Sequence, residues 1–165
     1  MIRTLLLARH ASASTTHLKD DFNRKLSDLG LRQSDGMGAW LLQNNVSLKG
    51  VFASTSHRTK STTQNICTSL NIKDGIYYDP GYYQASLRVM VEKLCQISNT
   101  LKNVLIVAHN PGVTQLLHFL CRDQATHLDP ADIVQIEFNE IGWNEITQHT
   151  GIFVRRQSFD GLEVI

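Results

Sequence analysis

Two kinds of apolar pattern alternate along the chain. The first is the short unbroken run, seen in IRTLLLAR (2–9), GVFAST (50–55) and NVLIVAH (103–109). Runs of this kind read as strands buried on both faces, as in parallel sheets. The second is helical spacing. Residues 28–45 carry a stripe of Leu31, Met37, Trp40, Leu41 and Leu42, weakened by Gly36 and Gly38. Residues 57–72 place Ile66 and Leu70 four apart. Residues 86–101 start at Ser86, a natural N-cap, and put Leu87, Met90, Val91, Leu94 and Ile97 on one i, i+3, i+4 face. Residues 111–121 open with a proline, which suits the first turn of a helix. GIYYD (75–79) reads either as a strand or as a loop lined by aromatics. DIVQIEF (132–138) and TGIFVRR (150–156) alternate polar and apolar, which predicts a terminal β meander around Asn144. Strands interleaved with helices predict the α/β class: a three-layer α/β/α sandwich with a mostly parallel central sheet.

Composition narrows the picture. A chain of 165 residues is expected to form a single domain over 1–165 with a sizeable core. Net charge is +1, which offers no basic field for nucleic acid and no acidic tail. No apolar run approaches the roughly 20 residues that span a bilayer. Arg3 and the small residues Ala11 to Ala13 imitate the two ends of a secretory signal. The apolar run between them is too short for one and is broken by Arg9 and His10. Cys67, Cys95 and Cys121 are odd in number, widely spaced and without a CxxC pair. They are expected to be reduced thiols of a cytoplasmic protein.

In open parallel sheets, ligands bind beyond the carboxyl ends of the strands. The first strand ends in Arg9 and His10; the second in Ser54 and Thr55, followed by His57 and Arg58; the NVLIVAH strand in His109 and Asn110. A single such residue says little, but these coincide at equivalent topological positions. Arginine forks match phosphate oxygens. A neutral histidine can attack phosphorus to form a covalent phosphoenzyme, and cationic neighbours keep it unprotonated. The same cations stabilise charge on the transferring phosphoryl group. These segments hold no acidic cluster for a metal, and their positive groups would repel one. The expected chemistry is therefore phosphoryl transfer without a cofactor or metal.

LLLARHASA resembles the RHG signature of the histidine phosphatase (phosphoglycerate-mutase-like) superfamily. KLSDLGLRQSDGMGAWL, VFASTSHRTKSTTQNI and VLIVAHNPGV follow in that superfamily's order, and the resemblance runs from Ile2 through the 132–138 strand. The SixA-type phosphohistidine phosphatases are the most similar branch. The resemblance implies that His10 is the nucleophile, that Arg9 and Arg58 bind the phosphoryl group, and that His109 contacts it. It also implies that the Asn110 backbone amide joins them at a helix mouth. Three features depart from the pattern: Ala11 replaces the usual glycine, Thr55 stands where a proline is common, and the middle segment YYDPGYYQASL contains no glutamate. Asp79, its one carboxylate, lies in a turn-like Asp-Pro-Gly sequence.

Other residues are open to two readings. Ser12 and Ser14 either touch phosphate or cap a turn, and Tyr83 either contacts substrate or packs. His118 is expected in the core or an interface. His17, His127 and His149 lack ligand spacing, His57 reads as a solvated loop residue, and Arg155 and Arg156 as a strand-end surface pair. Residues 59–108 are used up by two helices, the middle segment and a strand, leaving no length for a lid. An open, shallow site suits a phosphorylated side chain on a protein surface. The expectation is a monomeric phosphohistidine phosphatase acting on a phosphorylated protein such as a histidine phosphotransfer domain, through a phosphohistidine enzyme intermediate. The alternatives are a phosphatase of a small phosphorylated metabolite and a non-catalytic phosphate-binding module. A site with no acid should select substrates by leaving-group basicity.

Overall fold

In the computed structural model, which describes residues 1–16, 20–122 and 126–159, the apolar run Ile2–Arg9 forms β1 near the centre of a six-stranded sheet. The other strands are β2 (Gly50–Ala53), β3 (Ile76–Tyr78), β4 (Asn103–Ala108), β5 (Ile133–Asn139) and β6 (Ile152–Gln157), in the order β3-β2-β4-β1-β5-β6. The first four in that order run parallel; β5 is antiparallel to both β1 and β6. The alternating segments thus form the expected meander at one edge. GIYYD is a strand of three residues, with Tyr77 exposed and stacked on Phe52.

Helices cover both faces, as expected for three layers. α1 (Asp28–Gln43) and α2 (His57–Ser69) bury Met37, Leu41 and Ile66 against Leu6, Leu105 and Val107. α3 (Leu87–Cys95) and α4 (Gly112–Leu120) bury Met90, Leu94, Val113 and Leu117 against Leu5, Ile106 and Ile136. Ser86 caps α3 by accepting the Val89 N–H, but the helix stops at Cys95, six residues short of its predicted end. The stripe read on α1 is corrected in two places: Leu31 and Leu42 are exposed, and the buried face is Gly30, Gln33, Ser34, Met37, Gly38 and Leu41. That face is polar and glycine-rich because other backbone approaches it closely. A Cβ on Gly38 would lie 2.4 Å from Ser69 Oγ, and one on Gly30 1.9 Å from the Ser12 carbonyl oxygen.

His118 is exposed on α4 and bonds the Thr126 carbonyl, so it is not a core histidine. His17 lies outside the described residues. Cys67 and Cys121 are buried free thiols and Cys95 is half-buried. Among the described residues, no helix is long and apolar enough to cross a membrane.

Candidate active site

The sheet register brings the predicted residues together. β1 pairs with β4 so that Arg9 lies beside Ala108, and the His10 N–H donates to the Ala108 carbonyl at 3.1 Å. On the other side of β4, Ser54 N–H donates to Val107 at 3.2 Å. The three strand ends therefore deliver His10, Arg58 and His109 to one cleft of about 380 Å³, lined also by Arg9, Ser12, Asp21, Arg24, Asn110 and Pro130. His10, Arg58 and His109 are all buried.

Hydrogen bonds fix which atoms of the histidines are basic. His10 Nδ1 lies 2.8 Å from the Ala11 carbonyl, which can only accept, so Nδ1 carries the proton. Nε2 then holds the lone pair, and it accepts from Arg58 Nε at 3.1 Å. In His109 the roles reverse. Its Nδ1 accepts from Arg58 Nη2 at 3.3 Å, and Nε2–H donates to Ser54 Oγ at 2.8 Å, with Thr59 Oγ1 at 3.2 Å. The two rings lie 5.0 Å apart. Both are held neutral at a pKa of about 3. Burial is the largest cause for each; the neighbouring His109 comes next for His10, and the charge of Arg58 for His109. The sequence reading placed the cause in the cationic neighbours alone, whereas removal from water does more. Burial also lowers the pKa of Arg9, while Asp129 and Asp132 raise it.

The elements around the site hold it by polar contacts. Thr62 of α2 accepts the Ala11 N–H at 3.1 Å and donates to the Arg58 carbonyl at 2.8 Å. Gln33 of α1 accepts the Ser12 N–H at 2.9 Å, and Ser27, the α1 N-cap, donates to the Ser12 carbonyl. This explains the polar buried faces of both helices. Ser12 lines the cleft, while Ser14 pairs with Thr16 outside it. The Asn110 side chain bonds Leu128, Thr114 and His127, which fixes the residue at the cleft wall just before α4. Tyr83 packs edge-on against His109, with centroids 5.4 Å apart. His57 is exposed, as is His149.

Sequence reasoning missed the carboxylate that lines the cleft. Asp79 forms its turn, accepting the Gly81 N–H at 2.7 Å and pairing with Lys93, away from the cleft. The acid in the cleft is Asp21, from the connection between β1 and α1. Its Oδ2 accepts from Arg58 Nη2 at 3.0 Å and from Tyr83 Oη at 2.7 Å; its Oδ1 accepts from Arg24 at 3.1 Å. Partial burial raises its pKa, but the bonds from Tyr83 and Arg58 more than offset this and hold it at about 2. Asp21 is thus ionised and donates no proton in this arrangement. Its only signal in the sequence was an acidic loop after the first strand, which matches no spacing rule. Ser56 and Thr59, which surround His109 Nε2 together with the strand-end Ser54, were likewise passed over. Among the described residues, no group of three or more His, Cys, Asp or Glu is placed to hold a metal ion.

No family model matches the chain. An uncharacterized protein of Mycobacterium leprae is 27% identical over 139 residues, covering 81% of this chain and 83% of the relative. Another, from Mycobacterium tuberculosis, is 24% identical over 134 residues, covering 81% and 82%. Solved structures match more fully. One described as a phosphohistidine phosphatase SixA from Nakamurella multipartitia covers 96% of both chains with a TM-score of 0.81 at 21% identity. A protein histidine phosphatase SixA complexed with tungstate covers 94% of this chain and 96% of its own, with a TM-score of 0.81 at 22% identity. A mycobacterial glucosyl-3-phosphoglycerate phosphatase covers 93% and 97%, with a TM-score of 0.67 at 13% identity. The chain has the phosphoglycerate-mutase-like fold of the histidine phosphatases.

Proposed function

We propose that this chain is a cofactor-independent histidine phosphatase that hydrolyses phosphohistidine on a protein, with His10 as nucleophile. The observation that carries the reading is the His10 imidazole: buried, neutral, with Nδ1–H tied to Ala11 and the Nε2 lone pair turned toward Arg58. In the first step Nε2 attacks phosphorus and the bond to the leaving nitrogen breaks. Arg9 and Arg58 take the phosphoryl oxygens, with Arg58 Nε–H moving from the lone pair to an oxygen as the new bond forms, and His109 joins them by taking onto Nδ1 a proton that the phosphoryl group brings. Asn110, through its backbone amide, Ser12 and Tyr83 complete the binding surface. In the second step water attacks phosphorus, the N–P bond breaks and its electrons return to Nε2, the water proton leaving with phosphate or solvent.

Among the described residues, neither Asp21 nor Asp79 is placed to donate a proton, which supports phosphohistidine as the substrate. An imidazole protonated on the ring nitrogen remote from phosphorus departs neutral, whereas an alkoxide needs a proton from a positioned acid, a contribution of roughly 10²–10⁴-fold. Residues 59–108 are spent on α2, β3, α3 and β4, which leaves no length there for an inserted lid and suits a side chain presented by a phosphotransfer-type protein. The test is a substrate screen. A phosphohistidine protein or peptide should be the best substrate by kcat/KM, and acid-stable chemistry should be absent: the quenched intermediate should be acid-labile and base-stable. A sugar phosphate as best substrate would transfer the assignment to a small metabolite, and tungstate binding without turnover would make the chain a phosphate-binding module.

A further inference from the structure

The loop 128–132, Leu-Asp-Pro-Ala-Asp, grips the end of β1. The Leu128 carbonyl accepts Arg9 Nη1 at 3.0 Å and Asn110 Nδ2 at 2.8 Å. The Asp132 carbonyl accepts the Arg9 N–H at 3.1 Å, and the Ala131 N–H donates to the His10 carbonyl at 3.1 Å. Pro130 lines the cleft itself. The loop thus contacts Arg9 through backbone and side chain. Its geometry is an unusual one, because Ala131 has φ of 67°, a left-handed conformation that a residue with a Cβ keeps only where its surroundings impose it.

The imposing group is a buried carboxylate. Asp132 is fully buried; its Oδ2 accepts the Asp129 N–H at 2.7 Å, which closes the loop on itself. The same oxygen is paired with Arg156 Nη2 of β6, which reaches Asp129 Oδ2 at 3.3 Å as well. Arg156 is therefore not a surface residue at a strand end, as its sequence suggested; it is the counter-ion of a buried charge. Arg155, its neighbour, stacks 4.6 Å over Trp40 and bonds Gln135 and Asn44. Within the cluster, Asp132 Oδ1 and Arg9 Nε are both buried and unpartnered among the described residues. A fully buried carboxylate with one oxygen unpartnered among the described residues is expensive to keep in a core. Its retention beside a phosphate-binding arginine is explained if its charge fixes that arginine.

We infer that Asp132, with Arg156 as its counter-ion, is the positioning residue for Arg9, holding the guanidinium in the cleft through the 128–132 loop. The inference rests on the reading of Arg9 as a phosphoryl-binding group. It does not require Asp132, which is fully buried and does not line the cleft, to touch substrate. A guanidinium displaced by about 1 Å loses its aim at the phosphoryl oxygens, a misplacement that costs on the order of 10²-fold in rate.

The experiment uses the full chain and two readouts: tungstate affinity by calorimetry, and kcat/KM on a phosphohistidine peptide. Asp132→Asn keeps the shape and removes the charge. It should weaken tungstate by about tenfold and lower kcat/KM by about 10²-fold. Arg156→Met should reproduce the direction of both losses, and Arg156→Lys should recover most of each. In an Arg9→Ala background, Asp132→Asn should lower kcat/KM by less than about threefold, because two changes acting through one group do not add. A residue that serves stability alone would give equal losses in both backgrounds, and that result overturns the inference. So does wild-type tungstate affinity in folded Asp132→Asn. Should that variant fail to fold, Arg156→Met decides by the same comparison with and without Arg9. A wild-type chain that binds tungstate but turns over no phosphohistidine refutes the proposed function instead, and the tungstate measurements still decide the role of Asp132.

Discussion

Acid should unfold this protein through its active site. His10 and His109 are held neutral at a pKa of about 3 in the folded chain, whereas an unfolded chain returns each to about 6.5. Between those values the unfolded state binds a proton at each position that the folded state does not. Stability from the two rings is therefore fully present above about pH 6.5 and is lost as pH falls toward 3. Each histidine contributes a slope of about 1.4 kcal/mol per pH unit, on the order of 3 kcal/mol from pH 6.5 to 4. Two such contributions are comparable with the roughly 5–15 kcal/mol that holds a domain together. Asp21 acts in the same sense but lower: its carboxylate is held at about 2, so its contribution is complete above about pH 4 and is lost below that. The assay is urea unfolding at pH 7, 6, 5 and 4 in phosphate-free buffer, for the wild type, His10→Gln and His109→Gln. Each variant should show about half the wild-type slope. A wild-type unfolding free energy that is flat from pH 6.5 to 4, or a variant as steep as the wild type, would refute the claim that the fold keeps these rings neutral.

Chemistry gives three further tests. His10→Ala should lose the phosphoenzyme and nearly all turnover; normal turnover in that variant would remove the mechanism. Arg58→Ala should cost about 2–4 kcal/mol of transition-state stabilisation, read as kcat/KM, since it removes charge-assisted contacts from a dry site; a change of less than threefold would show that Arg58 does not hold the phosphoryl group. Along a series of aryl phosphates, rates should fall steeply with leaving-group pKa, and the slope should be the same in Asp21→Asn and Asp79→Asn; a slope that steepens in Asp21→Asn would identify Asp21 as a proton donor.

The strands and the strand-end cluster were legible because both rest on short-range rules. Continuous apolar runs mark buried strands, and the carboxyl ends of parallel strands mark the site, so Arg9, His10, Arg58 and His109 could be found before any contact was known. The errors have one physical origin. Leu31 and Leu42 were placed on the buried face of α1 because hydrophobicity stood in for burial; in fact Gln33 and Ser34 occupy that face, where Gln33 accepts from Ser12 of the site loop and Ser34 from Asn65 of α2. Asp21, Asp132 and Arg156 were missed because their roles lie in pairings between segments 24 to 37 residues apart. No local spacing encodes such a pair. The reading of Arg156 as a surface charge followed the ordinary fate of arginine at a strand end, and only the register of β6 against β5 turns it toward Asp132.

These long-range pairs show how the site manages its own charge. Arg9 and Arg58 are cations in a low-dielectric pocket, where unpaired charge is costly. The protein neutralises them with its own anions from two directions: Asp21 on Arg58, and Asp129 with Asp132 behind Arg9. The two arrangements are not equivalent. Asp132 is fully buried behind the arginine it faces, so an incoming phosphoryl group leaves it in place. Asp21 lines the cleft, with Arg58 bonded to its Oδ2 and its carbonyl, and so stands where a dianion would compete for the same guanidinium. On the proposed function, a phosphoryl group would bind by exchanging one anion partner of Arg58 for another, with a net gain far smaller than the bare attraction between phosphate and arginine. Such a site would hold free phosphate weakly and gain most as His10 forms its bond to phosphorus, which would favour release of product over retention.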